Sequence, residues 1–338
     1  MGAAPLLAVL LTAGSASAGP AVPVDQCRVT DERLSGLSGL ASDGEHWYAI
    51  NDHDDGVVSV YVLDRNCRVQ RTITAPIDPF DVEDLALAPD GTLWLADTGD
   101  NRRIRETVAL HTVSPSGGAR RFRLTYPDGK HDAEAILFDR KGTPYVITKE
   151  PIGSALVYRP VGELSEQSPT PLEKVASVSI RSTDTPGGPV AGSIGSRVVT
   201  GAAVSADGSV VALRTYNDAY LFPVANGDLP AALTSDPVRV PLPDETQGEA
   251  IAFEPDGTLI SGSEFGQGAS SGIRAVAGAA ALAAPKPPAP APVPTTTPLL
   301  PTPAPQQDNS SKPWPAVAGV VVTSALVVLF SRRLRRRR

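Results

Sequence analysis

The sequence is poor in the residues on which soft-metal and redox chemistry depend. Its 338 residues include two cysteines, one methionine, three tryptophans and four histidines. His46, His53, His111 and His131 are scattered, so a histidine zinc cluster is not expected. No H-E-x-x-H pair and no Walker-type loop occurs, and no G-x-S-x-G or G-x-G-x-x-G lies in the strand–turn–helix setting those motifs need. Long helical apolar periods are missing between Val22 and Gly278, which excludes a helical bundle. Positive charge is scarce as well. The net charge is −7, and setting aside the six tail arginines (Arg332, Arg333 and Arg335 to Arg338) leaves −13. An acidic domain lacks the basic face that sequence-independent nucleic-acid binding needs, so no nucleic-acid partner is expected.

The two ends carry what the middle lacks. Residues 1–18 read as a signal peptide: Leu6 to Leu11 is apolar but too short to span a bilayer, and Ala16-Ser17-Ala18 fits a small-x-small cleavage site. The run departs from the usual pattern in having no Lys or Arg before it. Residues 284–314 form a Pro/Ala/Thr-rich linker that favours extended polyproline II. At ~3.1 Å per residue it reaches on the order of 90 to 100 Å. Residues 315–331 are uncharged and near the lower length limit for a transmembrane helix, with Trp314 as an interfacial anchor. Residues 332–338 form a basic tail that the positive-inside rule puts in the cytoplasm. The expected protein is therefore single-pass in the cell membrane, with residues 19–283 outside. This layout resembles the C-terminal part of Gram-positive surface proteins handed to sortase. However, Leu300-Pro301-Thr302-Pro303 lacks the glycine of L-P-x-T-G, so retention by the helix is the expectation.

Between those ends the sequence repeats a phrase. Glu83 in VEDLALAPDG, Glu134 in AEAILFDRKG and Glu249 in GEAIAFEPDG each lie eight residues before a turn glycine (Gly91, Gly142 and Gly257). Thr200 stands in the same place before Gly208, and Ser38 fits with a short gap. Each turn is followed by further β-rich runs, such as TLWLADTGD, TVALHTV and RRFRLTY. Five units of about 45 to 65 residues with four strands each predict an all-β fold, a β-propeller. The segment 182–198 reads as a loop, with a degenerate sixth blade near it as the alternative. The last unit stops after three strands, and the spare run Gln26 to Thr30 can close the ring and remove its free edge. Two cysteines in an exported domain suggest a disulfide, Cys27 to Cys67, which would pin the closing strand to the first blade.

Propeller geometry brings the first residues of each inner strand and the second-to-third-strand loops to one mouth of the channel. That collects Asp81, Glu83, Asp84, His131, Asp132, Glu134, Gln247 and Glu249 with Asn51, Asp52, His53, Asp54, Asp55, Asp97, Asp100, Asn101, Lys149, Glu150, Arg214, Asn217, Asp218 and Glu264. So many converging carboxylates need neutralising cations. Three readings stand side by side. The repeated acids form ring hydrogen bonds to neighbouring blades or pair with Lys149 and Arg214. Or carboxylates and Asn oxygens hold a hard cation, Ca²⁺. Or the same rim is a metal-assisted hydrolytic site.

The phrases SGLA, an ND dipeptide, D-x-E-D-L-A, DTGDN, VTGAAVSADG and QGEAIAFEPDG resemble a family of exported actinobacterial propeller proteins, across nearly all of residues 27 to 278. More distantly, they are similar to the esterase-like-phytase and gluconolactonase-type propellers. That resemblance implies metal-binding acids at the channel mouth. Carried over residue by residue, it reaches Glu83, Glu134, Glu249, Asp100 and Asn101. The expectation is a membrane-anchored extracellular propeller that binds a small molecule, glycan or protein at an acidic, Ca-occupied mouth. Its alternatives are a metal-dependent esterase, phosphoesterase or lactonase-like hydrolase and a non-catalytic surface scaffold. The sequence alone leaves catalysis open.

Overall fold

The computed structural model describes residues 22–52, 56–190, 194–266 and 271–284. The expected signal peptide, membrane helix and basic tail, the linker from residue 285, and His53, Asp54 and Asp55 lie outside the described residues. Among the described residues no helix is long and apolar enough to cross a membrane.

Short strands broken by Gly and Asp turns build five antiparallel four-stranded units. The first holds β2 (Leu37–Ser42), β3 (Trp47–Asn51), β4 (Val58–Leu63) and β5 (Val69–Ala75). The second holds β6 (Val82–Leu87), β7 (Leu93–Asp97), β8 (Val108–Val113) and β9 (Ala119–Thr125). The third holds β10 (Ala133–Phe138), β11 (Pro144–Thr148), β12 (Ala155–Pro160) and β13 (Thr170–Val178). The fourth holds β14 (Gly201–Val204), β15 (Val210–Arg214), β16 (Asp218–Pro223) and β17 (Val238–Pro241). The fifth holds β18 (Gln247–Phe253), β19 (Leu259–Glu264) and β20 (Ser271–Val276), and β1 (Val24–Val29) pairs antiparallel with β20 as its outer strand.

The first strands of these units, β2, β6, β10, β14 and β18, pack each against the next and return to the start, which makes a five-bladed propeller. Buried apolar side chains fall into five clusters, one at each blade–blade boundary. Burial is thus spread around a ring, as expected when each blade is apolar on both faces. The outer strands of blades two and three also meet, in a short parallel pairing of Thr170 and Pro171 with Leu124 and Thr125.

The ring closes as expected. Cys27 on β1 is disulfide-bonded to Cys67 after β4, with Cα atoms 5.7 Å apart and a sequence separation of 40. A loop of that length is worth roughly 4 kcal/mol in the chain-entropy account. Arg65 adds a second tie: its guanidinium bonds Glu254 of blade five and lies 4.7 Å from the Trp47 ring centre of blade one. No sixth blade forms among the described residues. Residues 182–190 and 194–198 are loop segments held over blade four, where Asp218 accepts from the Thr183 and Thr185 hydroxyls and Glu245 O accepts from Gly188 N–H.

One irregularity repeats and matters for function. Pairing of the first two strands slips by one residue between Leu37 and Gly39, Val82 and Asp84, Ala133 and Ala135, and Gly248 and Ile251. These bulges fall at Ser38, Glu83, Glu134 and Glu249, the repeated position of the sequence phrase. A bulge leaves one residue out of the ladder and re-aims its side chain. Blade four has no such slip, and there the equivalent Thr200 precedes the strand.

Candidate metal centre at the channel mouth

The glutamates at the bulges of blades two, three and five converge, so that Glu134 and Glu249 both act on Glu83. Glu83, Asp132 and Glu134 each offer a carboxylate oxygen within 4.8 Å of the others, and all three are buried. Lys149 stands beside them at the end of β11, where its N–H donates to Asp132 O at 2.9 Å. The Lys149 ammonium bonds Glu134 Oε1. Glu134 Oε2 is buried and has no hydrogen-bonding partner among the described residues. Such an oxygen is costly to leave in a low-dielectric interior.

The electrostatics agree with the crowding. Burial, then Glu134, Asp81 and Glu249, hold the Glu83 carboxyl well above the usual range. Burial raises Glu134 as well, against the pull of Lys149. Asp132 is raised by burial while the Asp100 N–H at 2.7 Å opposes it. Asp81 rises to about 6 through burial and the charges of Asp132 and Asp52. Burial alone would lower the Lys149 ammonium, but Glu134 and its neighbours raise it instead.

Glu249, from blade five, is raised by burial and by its contact with Glu264. The Gln247 amide donates to both, at 3.2 Å to Glu249 Oε1 and 2.5 Å to Glu264 Oε1. Two carboxyls so placed can share one proton. Asp52 adds charge from blade one, and with Asp81 it borders a shallow cleft between blades one and two lined by Val58, Tyr61 and Phe80.

Gly99 makes the close approach possible. An ideal Cβ there would lie 2.2 Å from Glu83 Oε1 and 2.4 Å from Asp81 Oδ2. Any side chain would push into the space the two carboxylates use. This glycine is the third residue of DTGDN, and its role is visible only in three dimensions.

Other residues expected at the rim do different work. Asp84 is fully buried, and its carboxylate accepts from the backbone N–H groups of Leu85, Ile136 and Ala202, tying three inner strands together. Arg214 is also fully buried. It pairs with Glu245 at 2.6 Å and donates to the carbonyls of Ala250 and Gly262, so it does not reach the ring acids. Asp100 uses one oxygen for Ile104 N–H and the other for Arg105 N–H, both at 2.9 Å, and so holds the turn after β7, where Asn101 is exposed. Asp97 binds Arg105 and His111, which hold its carboxyl below the usual range despite burial. His131 faces Asp128 and the Tyr158 hydroxyl, outside the acid cluster. Of the expected contacts, Glu134 pairs with Lys149, and hydrogen bonds between blades come from Asp84 and from the hydroxyl positions: Ser38 Oγ donates to Glu83 O, and Thr200 Oγ1 to Gly248 O.

The sequence reading missed Tyr216 and Glu245. Tyr216 lies in the turn between β15 and β16, and Lys149 Nζ is 5.4 Å from its ring centre. Burial pushes its phenol up to about 12, while contact with the Lys149 ammonium opposes the rise. Tyr216 lies in a loop that the repeats bring to the mouth, between Arg214 and Asn217, but it carries no carboxylate to mark it, and Glu245 sits outside the repeated phrase.

No family model matches the chain, and no curated protein matches it. Among solved structures, the chain is similar to a gluconolactonase from Xanthomonas campestris, with 17% identity over 73% of this chain and 82% of that one and a TM-score of 0.38. It is similar to a PQQ-bound aldose sugar dehydrogenase from Streptomyces coelicolor, with 12% identity over 77% and 99% and a TM-score of 0.41. A virginiamycin B lyase from Staphylococcus aureus gives 9% identity over 72% and 67% and a TM-score of 0.35. Likenesses this distant carry no information about substrate or reaction.

Proposed function

We propose that this protein is a membrane-anchored extracellular propeller that holds a divalent cation at its channel mouth and receives a small-molecule, glycan or protein ligand there. The observation that carries the reading is the buried trio Glu83, Asp132 and Glu134, with Glu134 Oε2 unpartnered beside it. Three carboxylates against one lysine leave two negative charges, which a divalent ion balances. The donors are all oxygens, with no imidazole or thiolate among them, so a hard cation fits and Ca²⁺ is the expected ion. Export and anchoring rest on residues 1–18 and 284–338, with the propeller outside and the arginine tail inside.

The test uses the full chain, purified in detergent and unfolded by heat with Ca²⁺ or with chelator. A bound ion stabilises the native state by about 2.7 kcal/mol at a hundredfold excess over its dissociation constant. That shift is expected in the wild type and is lost in Glu134→Gln and in Glu83→Gln. Equal melting temperatures with Ca²⁺ and chelator in the wild type would sink the metal reading.

A second reading, a metal-dependent hydrolase of esters, phosphoesters or lactones, is favoured by Asp81. Its carboxyl, raised to about 6, stands at the edge of the trio and borders the cleft, where it can take a proton from an attacking water. Turnover of an ester or lactone that falls at least tenfold in Asp81→Asn, with the Ca²⁺ shift intact, supports it.

A further inference from the structure

Lys149 is the cation that bears on all three ring glutamates Glu83, Glu134 and Glu249. Its side chain keeps 16% of its surface exposed, while Glu134 keeps 2%. Lys149 is therefore the more open partner of this pair. It has three N–H donors, and Glu134 Oε1 takes one. The Tyr216 phenol lies against it and stays protonated at neutral pH.

Tyr216 is held in place from several sides. Thr215 Oγ1 accepts from the N–H groups of Asn217 and Asp218, which closes the turn. Thr215 N–H in turn donates to Asp218 O at 2.8 Å. Gly188 of the overlying loop approaches so closely that a Cβ there would lie 3.3 Å from Tyr216 Cβ. Two fixed donors, one cationic and one neutral, thus flank the acid trio on the side of blades three and four.

Resting on the divalent-cation reading, we propose that Lys149 and Tyr216 form the anion-recognising half of this site and hold a carboxylate or phosphate oxyanion of the ligand beside the ion. The chemistry is complementary. With a divalent ion held by Glu83, Asp132 and Glu134, the ion, the trio and Lys149 together would sum to zero. Glu134 would then serve the ion, leaving Lys149 N–H donors for an incoming oxyanion. A lysine kept merely to neutralise acids would need no phenol at its side. The pair also gives the mouth a selectivity that its acidic field would otherwise oppose: anions bind only through these two donors and the ion.

The experiment uses calorimetry on the full chain in detergent. Ca²⁺ is titrated first; inorganic phosphate and, separately, acetate are then titrated into the Ca²⁺-loaded protein. The two anion arms distinguish a phosphate ligand from a carboxylate one. Expected is binding of at least one anion by the wild type, weakened roughly tenfold or more in Lys149→Met and roughly threefold to tenfold in Tyr216→Phe, because a charge-assisted bond is worth more than a neutral one. Lys149→Arg keeps the charge and retains most of the binding. Ca²⁺ affinity stays within about threefold or rises in Lys149→Met, since a tethered competitor for Glu134 is gone. Near-UV circular dichroism of each variant checks the fold. Anion binding unchanged in both variants overturns the assignment, and so does a wild type that binds Ca²⁺ but neither anion. In both cases the cation reading survives. A wild type that binds no Ca²⁺ overturns the cation reading and this one with it.

Discussion

Gly99 shows how a residue with no side chain sets the chemistry of its neighbours. Its backbone fills the place where Glu83 and Asp81 approach, and a methyl group there would overlap both carboxylates. Gly99→Ala is therefore expected to weaken Ca²⁺ binding at least tenfold, about 1.4 kcal/mol. The fold should survive, because an overpacked site costs typically ~1–3 kcal/mol and flexible carboxylates can shift. Calorimetric titration of the variant with Ca²⁺ measures this. Binding as tight as in the wild type would mean that Glu83 is not where the ion sits. The same scale explains why DTGDN was legible only in part. Asp97, Asp100 and Asn101 stand out in the sequence as oxygen donors, yet Asp97 serves Arg105 and His111, and Asp100 serves its own turn. The residue that shapes the site is the glycine between them.

At the scale of strands, the repeated spacing was enough to place every blade. An acid or hydroxyl eight residues before a turn glycine sets the length of the first strand, and the turn fixes its register with the second. The bulge was not legible, because it is a slip between two strands and leaves no mark in either one alone. Yet the bulge decides which way Glu83, Glu134 and Glu249 face. Asp84, one residue on from Glu83, shows the consequence: it returns to the ladder and binds Leu85, Ile136 and Ala202 in place of any ligand. Asp84→Ala leaves N–H groups on three inner strands without their acceptor, at about 1–3 kcal/mol each when buried. The expected loss is roughly 3 kcal/mol or more in urea unfolding. A loss under about 1 kcal/mol would show that these amides find other partners.

For the molecule as a whole, the acids of the mouth set how stability responds to pH. Glu83, Glu134 and Glu249 are all raised well above the ordinary range, with burial the largest cause, and Asp81 is raised to about 6. Groups raised in this way bind more protons in the folded state than in the unfolded chain. Their contribution is complete below the unfolded value and is lost as pH rises through the folded one. Asp97, held low by His111 and Arg105 against its burial, acts with the opposite sign, but its window lies at more acid pH. Without divalent ions the protein should therefore be more stable at pH 5 than at pH 7.5, by roughly 2 kcal/mol or more, or about 4–8 °C in melting temperature. Ca²⁺ competes with those protons, so it should add little at pH 5 and most at pH 7.5, flattening the profile. Glu83→Gln removes one of the buried charges and should lessen the alkaline loss in chelator while abolishing the Ca²⁺ gain. A chelated wild type whose stability rises from pH 5 to 7.5 would mean that the mouth holds its acids ionised without help. The cation would then have no electrostatic deficit to fill.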